Sequence, residues 1–148
     1  MAESNNMQSV IGETFRGKNG EVTFTDIEQC QVICLLFTAN WCPPCRIFSP
    51  ILVEFYNDVN FPDKRLEIIH VTSDKDEASF NEHFEALPWI CIPFGDSRLQ
   101  ALKHKFKIAG IPVLMVLNRD GSLAHGTGRA DVQSEGPGCF ERWASLVN

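Results

Sequence analysis

The densest chemistry in the chain lies in one short run, Trp41-Cys42-Pro43-Pro44-Cys45. Two thiols two residues apart can meet within one helical turn and exist as a dithiol or as a disulfide. The thiolate is the nucleophile of thiol–disulfide exchange, so a setting that favours it makes the pair reactive. A strand-to-helix junction is such a setting. At a helix cap, Cys42 would face orphan backbone N–H groups and the positive end of the helix dipole. Cys45, one turn in and less exposed, could attack a mixed disulfide formed at Cys42. The spacing therefore makes Cys42 the attacking thiol and Cys45 the resolving one. Proline suits the first helical position, where its missing N–H would be unpaired anyway. Two prolines also remove two amides that could face the Cys42 sulfur, leaving those of Cys45 and Arg46. The thiolate is then favoured only moderately, which suits a reductase better than a strong oxidant.

Other chemistries fit less well. A Cys-x-x-Cys can be half of a zinc site, but no second pair at a suitable spacing accompanies it. The histidines at 70, 83, 104 and 125 form no close ligand pair either. The reading calls for no metal and no cofactor. The opening residues Met1-Ala2-Glu3-Ser4-Asn5-Asn6 lack the basic-then-apolar layout of a signal peptide. No apolar run approaches the ~18 residues that span a bilayer. The chain is expected in the cytoplasm, with the nucleus also open to it, and not at a membrane. There the thiols stay mostly reduced, which disfavours a structural Cys42–Cys45 disulfide. A net charge of −6 and a pI near 5.1 argue against a nucleic-acid groove. Cys30, Cys34 and Cys91 read as inert buried thiols. Cys139, near the end, is expected to be exposed and open to oxidation.

The elements that must position the dithiol can be read around it. The chain has 148 residues, which suits one domain, and residues 1–11 are expected to be a flexible extension. Thr14-Phe15 and Val22 to Phe24 flank Gly17-Lys18-Asn19-Gly20 as a hairpin. Val32 to Phe37 is continuously apolar, as a strand buried on both faces would be. A helix should follow Cys42, with Ile47, Ile51, Phe55 and Val59 on its apolar face and Phe48 and Leu52 beside them. Pro50 should kink it without ending it. Leu66 to Val71 reads as the next strand, with His70 in it as a core or edge residue. Phe80, Phe84 and Leu87 mark a second helix that closes before Pro88, and Trp89 reads as packing under a surface loop. Asp96 or Ser97 can cap a third helix whose basic end, Lys103, Lys105 and Lys107, complements the helix dipole, with Gly110 as a stop. Val113 to Leu117 and Ser122 to His125 form a second hairpin around Asp120-Gly121. Phe140, Trp143, Ala144 and Val147 stripe a last helix. The order predicts an α/β fold: a mixed central sheet with helices on both faces and an N-terminal β-hairpin.

Phe37-Thr38-Ala39-Asn40-Trp41-Cys42-Pro43-Pro44-Cys45-Arg46 resembles the nucleoredoxin and tryparedoxin branch of the thioredoxin superfamily. Further matches lie in Leu52 to Tyr56, in Leu87-Pro88-Trp89 with Pro93-Phe94, and in Ile108-Ala109-Gly110-Ile111-Pro112. The tail Gly138 to Trp143 is similar to nucleoredoxin-like proteins more than to tryparedoxins. The resemblance covers about Val32 to Gly128 and implies a thioredoxin-like fold with a cis Ile111-Pro112 bond beside the dithiol. It implies that Ile111 offers backbone groups to an extended substrate, with Trp41, Pro43, Pro44 and Pro112 forming the apolar surround of Cys42. Typical thioredoxins place a buried aspartate six residues before the first cysteine. Here that position is Leu36, so its proton-moving role must fall to water or to another group.

The implied activity is reduction of protein disulfides by dithiol exchange, with a reductase or a low-molecular-weight thiol as electron donor and a monomer as the working form. The rival is a redox-sensitive signalling module, in which the dithiol switches partner affinity with little turnover.

Overall fold

A computed structural model describes residues 2–148, with side chains from Met7 onward. Seven strands make one sheet: β1 (Thr14–Gly17), β2 (Gly20–Thr23), β3 (Val32–Thr38), β4 (Leu66–Thr72), β5 (Ile90–Cys91), β6 (Val113–Leu117) and β7 (Leu123–His125). Their spatial order is β2-β1-β5-β4-β3-β6-β7. β3 pairs parallel with β4 and β4 with β5, while β6 lies antiparallel to β3 and to β7. The sheet is therefore mixed, in the thioredoxin-like α/β arrangement. Every residue of β3 and β4 is buried, as strands inside a sheet covered on both faces are, and β4 buries Glu67, His70 and Thr72 along with its apolar residues.

Helices cover the two faces. On one lie α3 (Pro43–Val59) and α7 (Cys139–Leu146), packed with Trp89, Phe140 and Trp143. On the other lie α1 (Ala2–Ile11), α2 (Phe24–Ile27) and α5 (Arg98–Lys105), over Phe15, Phe37 and Ile69. α4 (Glu77–Glu85) and α6 (Gly128–Glu135) complete the set.

Several elements differ from the sequence expectation. Where a flexible extension is expected over residues 1–11, Ala2–Ile11 form α1, which buries Met7 and Ile11 in the core. Arg98 Nη1 donates to the Ile11 carbonyl at 2.9 Å. Gly121 lets α1 approach the β6–β7 turn. It adopts φ 86, and a Cβ there would stand 2.7 Å from Val10 Cγ2. Within α3 the buried face is Phe48, Leu52, Phe55 and Val59, whereas Ile47 and Ile51 are exposed. α3 continues through Pro50. Trp89 leads into β5, which fills the place between β1 and β4. α5 ends at Lys105, short of Gly110, and Lys107 turns the chain away at φ 54. Cys139 is fully buried in the core beside α3, not exposed.

Candidate active site

β3 ends at Thr38, and the next residues lead into α3. Cys42 is the N-cap of α3, with Pro43 and Pro44 opening the first turn. The Cys45 amide donates to the Cys42 sulfur at 3.4 Å. This is the amide that the double proline leaves available. The Arg46 amide goes to the Cys42 carbonyl instead, at 3.1 Å. The thiol of Cys42 in turn donates to the Ile111 carbonyl oxygen at 3.8 Å. Ile111-Pro112 is cis, and Ile111 packs on Ala39, Cys42 and Cys45. One backbone group of Ile111 is thus turned to the sulfur and not to solvent.

Both sulfur residues are buried, Cys42 at 4% and Cys45 at 1% exposure. What distinguishes them is their surroundings. Cys42 lies among exposed Trp41, Pro43 and Pro44, while Cys45 lies one turn into the helix. Burial pushes the Cys45 thiol up from its ordinary value, and its hydrogen bond with Cys42 adds to this. The Thr38 hydroxyl and the Ala39 backbone pull the other way. A hydroxyl at the end of β3 therefore stands beside the second cysteine, two residues after Leu36 on the same strand.

The residues ahead of the dithiol are anchored to the loop after β4. Asp74 accepts the Asn40 amide at 2.8 Å, and the Ser73 carbonyl accepts the Trp41 indole N–H at 3.3 Å. The Asn40 side chain donates to Ser79 and to Glu82 of α4. Lys103 ties the same loop from α5, through the Thr72 carbonyl at 3.4 Å and Ser73 Oγ at 3.2 Å. Trp41 remains 55% exposed. It forms apolar surface beside Cys42 and is not core packing. A cleft of about 650 Å³ opens on its far side between α3 and α4, lined by Arg46, Ser49, Glu82 and His83 among others.

The structure brings Trp41, Cys42, Pro43, Pro44, Cys45, Ile111 and Pro112 together where β3 ends and β6 begins. Sequence reasoning missed the anchoring residues Asp74, Ser73, Asn40 and Lys103, whose partners lie 30 or more residues away. Among the described residues no group of three or more His, Cys, Asp or Glu side chains could hold a metal ion, and no helix is long and apolar enough to cross a membrane.

The Thioredoxin-like family model matches residues 29–123. "Probable nucleoredoxin 1" of Arabidopsis thaliana is 36% identical over 124 residues, 84% of this chain and 22% of that protein. Native tryparedoxin I from Crithidia fasciculata superposes with a TM-score of 0.81 at 29% identity, covering 97% of this chain and 98% of the other. Tryparedoxin I from Leishmania major gives 0.78 at 32% identity, covering 88% and 90%. The chain spans between 22% and 31% of the length of the curated relatives it matches.

Proposed function

Because the chain belongs to the thioredoxin-like family, in its nucleoredoxin and tryparedoxin branch, we propose that it reduces protein disulfides through the Cys42-Pro43-Pro44-Cys45 dithiol. The observation that carries this reading is the N-cap position of Cys42, with the Cys45 amide aimed at its sulfur at 3.4 Å. A hydrogen bond from a backbone amide at a helix N-terminus favours negative charge on the acceptor.

The Cys42 thiolate attacks one sulfur of a substrate disulfide, forming a Cys42–substrate disulfide and expelling the other substrate sulfur as a thiolate. Cys45 then loses its proton and attacks Cys42 Sγ. The Cys42–Cys45 disulfide forms and the second substrate thiolate leaves. Two electrons have passed to the substrate, and its thiolates take protons from water. A reductase or a low-molecular-weight thiol returns the two electrons. Trp41, Pro43, Pro44, Ile111 and Pro112 form the surface on which an extended substrate segment lies. The Thr38 hydroxyl supports the developing Cys45 thiolate. The chain does this as a monomer, in a cytoplasmic or nuclear setting that keeps thiols reduced.

The burial of both sulfurs favours a second reading, a redox-sensitive binding module with little turnover. Insulin reduction with dithiothreitol as donor separates the two. A reductase accelerates precipitation of the insulin B chain well beyond dithiothreitol alone. A rate equal to that of dithiothreitol alone would favour the module.

A further inference from the structure

The last turn of α5 carries Lys103, His104 and Lys105, and Lys107 follows just beyond it. Lys103, His104 and Lys107, with Gln100 and Ile108, line a hollow of about 480 Å³ that contains no carboxylate residue. Lys105 follows on the same exposed segment. No described carboxylate forms an ion pair with these four side chains. Acidic groups adjoin the patch without pairing to it: Asp74 and Asp96 line a neighbouring hollow with Lys103 and Gln100, and the Asp120 carboxyl is held below its usual range chiefly by its hydrogen bonds with Ser122, with Lys105 adding to this.

Two routes tie this patch to the reacting sulfur. Lys103 holds Ser73, and the Ser73 carbonyl holds the Trp41 indole. Along the chain, Lys107 stands four residues before Ile111, whose carbonyl oxygen is 3.8 Å from Cys42 Sγ. Four residues reach at most about 14 Å even when fully extended. A polypeptide bound at Cys42 covers that distance with about four of its own extended residues, so the side chains that flank its disulfide can reach the patch directly.

We propose that the Lys103–Lys107 segment is a docking surface for an acidic polypeptide, the stretch that flanks the disulfide of the protein partner. The proposal rests on the reductase reading and names its partner class. The chain carries a net charge of −6, so an acidic partner meets repulsion over most of the surface and attraction at this face. Such a pattern steers encounter and orients the partner. Lysine ammonium groups on flexible stems suit mobile carboxylate side chains. The hollow is open, and among the described residues no buried side-chain donor without a partner lines it to grip a compact anion.

The test measures kcat/KM of the full chain for two synthetic cystine peptides of equal length, one flanked by glutamates and one by lysines. Both are measured at about 20 mM and 500 mM salt, with hydroxyethyl disulfide as a chain-free control. The acidic peptide should be favoured about tenfold at low salt, and the two should converge at high salt. Lys105→Glu and Lys107→Glu should each lower kcat/KM for the acidic peptide about fivefold at low salt. Both should leave hydroxyethyl disulfide unchanged. Equal reduction of both peptides at low salt overturns the docking surface while leaving the reductase reading intact. An acid preference that survives both variants places the recognition elsewhere and also overturns it. Inhibition by inorganic phosphate at constant ionic strength, without peptide discrimination, assigns the hollow to a small anion instead. Failure to reduce any of the three disulfides overturns the reductase reading and this proposal together.

Discussion

Ile111 turns its carbonyl oxygen to the Cys42 sulfur, 3.8 Å away, so the loop ahead of β6 and the cap of α3 behave as one unit. The contact needs a proton on the sulfur. When that proton leaves, two electron-rich atoms face each other, and the carbonyl becomes free to accept an N–H from an incoming chain. Activation of Cys42 and exposure of a backbone acceptor for the substrate are therefore linked. The Cys45 amide, at 3.4 Å, keeps the sulfur in place during the change.

The two cysteines should give opposite results when replaced. Cys42→Ser removes the attacking atom and should abolish disulfide reduction. Cys45→Ser leaves attack intact but removes resolution, so a mixed disulfide with the substrate should accumulate. Non-reducing mass spectrometry after incubation with oxidised insulin reads both outcomes. Trapping by Cys42→Ser and not by Cys45→Ser would reverse the assigned roles.

Alkylation separates Cys42 from the buried thiols whose ionisation is pushed up. Burial pushes Cys139 up to about 11 and Cys91 up to about 12. It raises Cys30 and, further still, Cys34. Near pH 8 iodoacetamide should label Cys42 quickly, and the core thiols only after unfolding. Fast labelling of Cys139 in the native protein would contradict its position against α3.

The dithiol and the elements around it were legible because their signals are local. A Cys-x-x-Cys at the end of an apolar run, followed by prolines and apolar residues at helical spacing, needs no distant partner to be read. Strands β3 and β6 declared themselves as apolar runs, and β4 as one interrupted by Glu67 and His70. The remaining elements depend on tertiary contacts. α1 has a polar start and shows one face only through Met7, Val10 and Ile11. β5 is two residues long and exists because β1 and β4 leave a place for it. In α3 the 3.6-residue period favours two adjacent apolar stripes almost equally. Packing buried Phe48 and Leu52 and left Ile47 and Ile51 outside. The anchors of Asn40 and Trp41 come from residues more than 30 positions away, which no spacing rule reveals.

α1 should contribute measurably to stability. Ile11 is fully buried, and Ile11→Ala should cost about 2–5 kcal/mol from lost burial and the cavity left behind. Deleting residues 1–11 should cost more, since it also removes Met7 and leaves Arg98 without the Ile11 carbonyl. Urea denaturation followed by circular dichroism measures both. An unchanged midpoint for the deletion would mean that α1 does not belong to the cooperative fold.

His70 should make the protein acid-sensitive. It is fully buried in β4, and its ring faces those of Phe80, His83 and Phe84. Trp89 Nε1 donates to His70 Nδ1 at 3.3 Å, so the ring proton sits on Nε2, which has no partner among the described residues. Burial, with His83 and then Lys18 adding to it, lowers the imidazole to about 3. His83 is lowered too, again chiefly by burial. In the unfolded chain a histidine titrates near ~6.5. Below that pH the unfolded state takes up a proton that the folded state refuses. The contribution of His70 is therefore fully present above about 6.5 and is lost as the pH falls toward about 3. By pH 4 the loss should be on the order of 3 kcal/mol. His70→Gln keeps an acceptor for Trp89 and has no proton to gain. Urea midpoints at pH 7 and pH 4 should therefore fall much further for the wild type than for His70→Gln. Carboxylates titrating in the same window act in both proteins and cancel in the difference. Equal losses would mean that His70 takes its proton inside the fold.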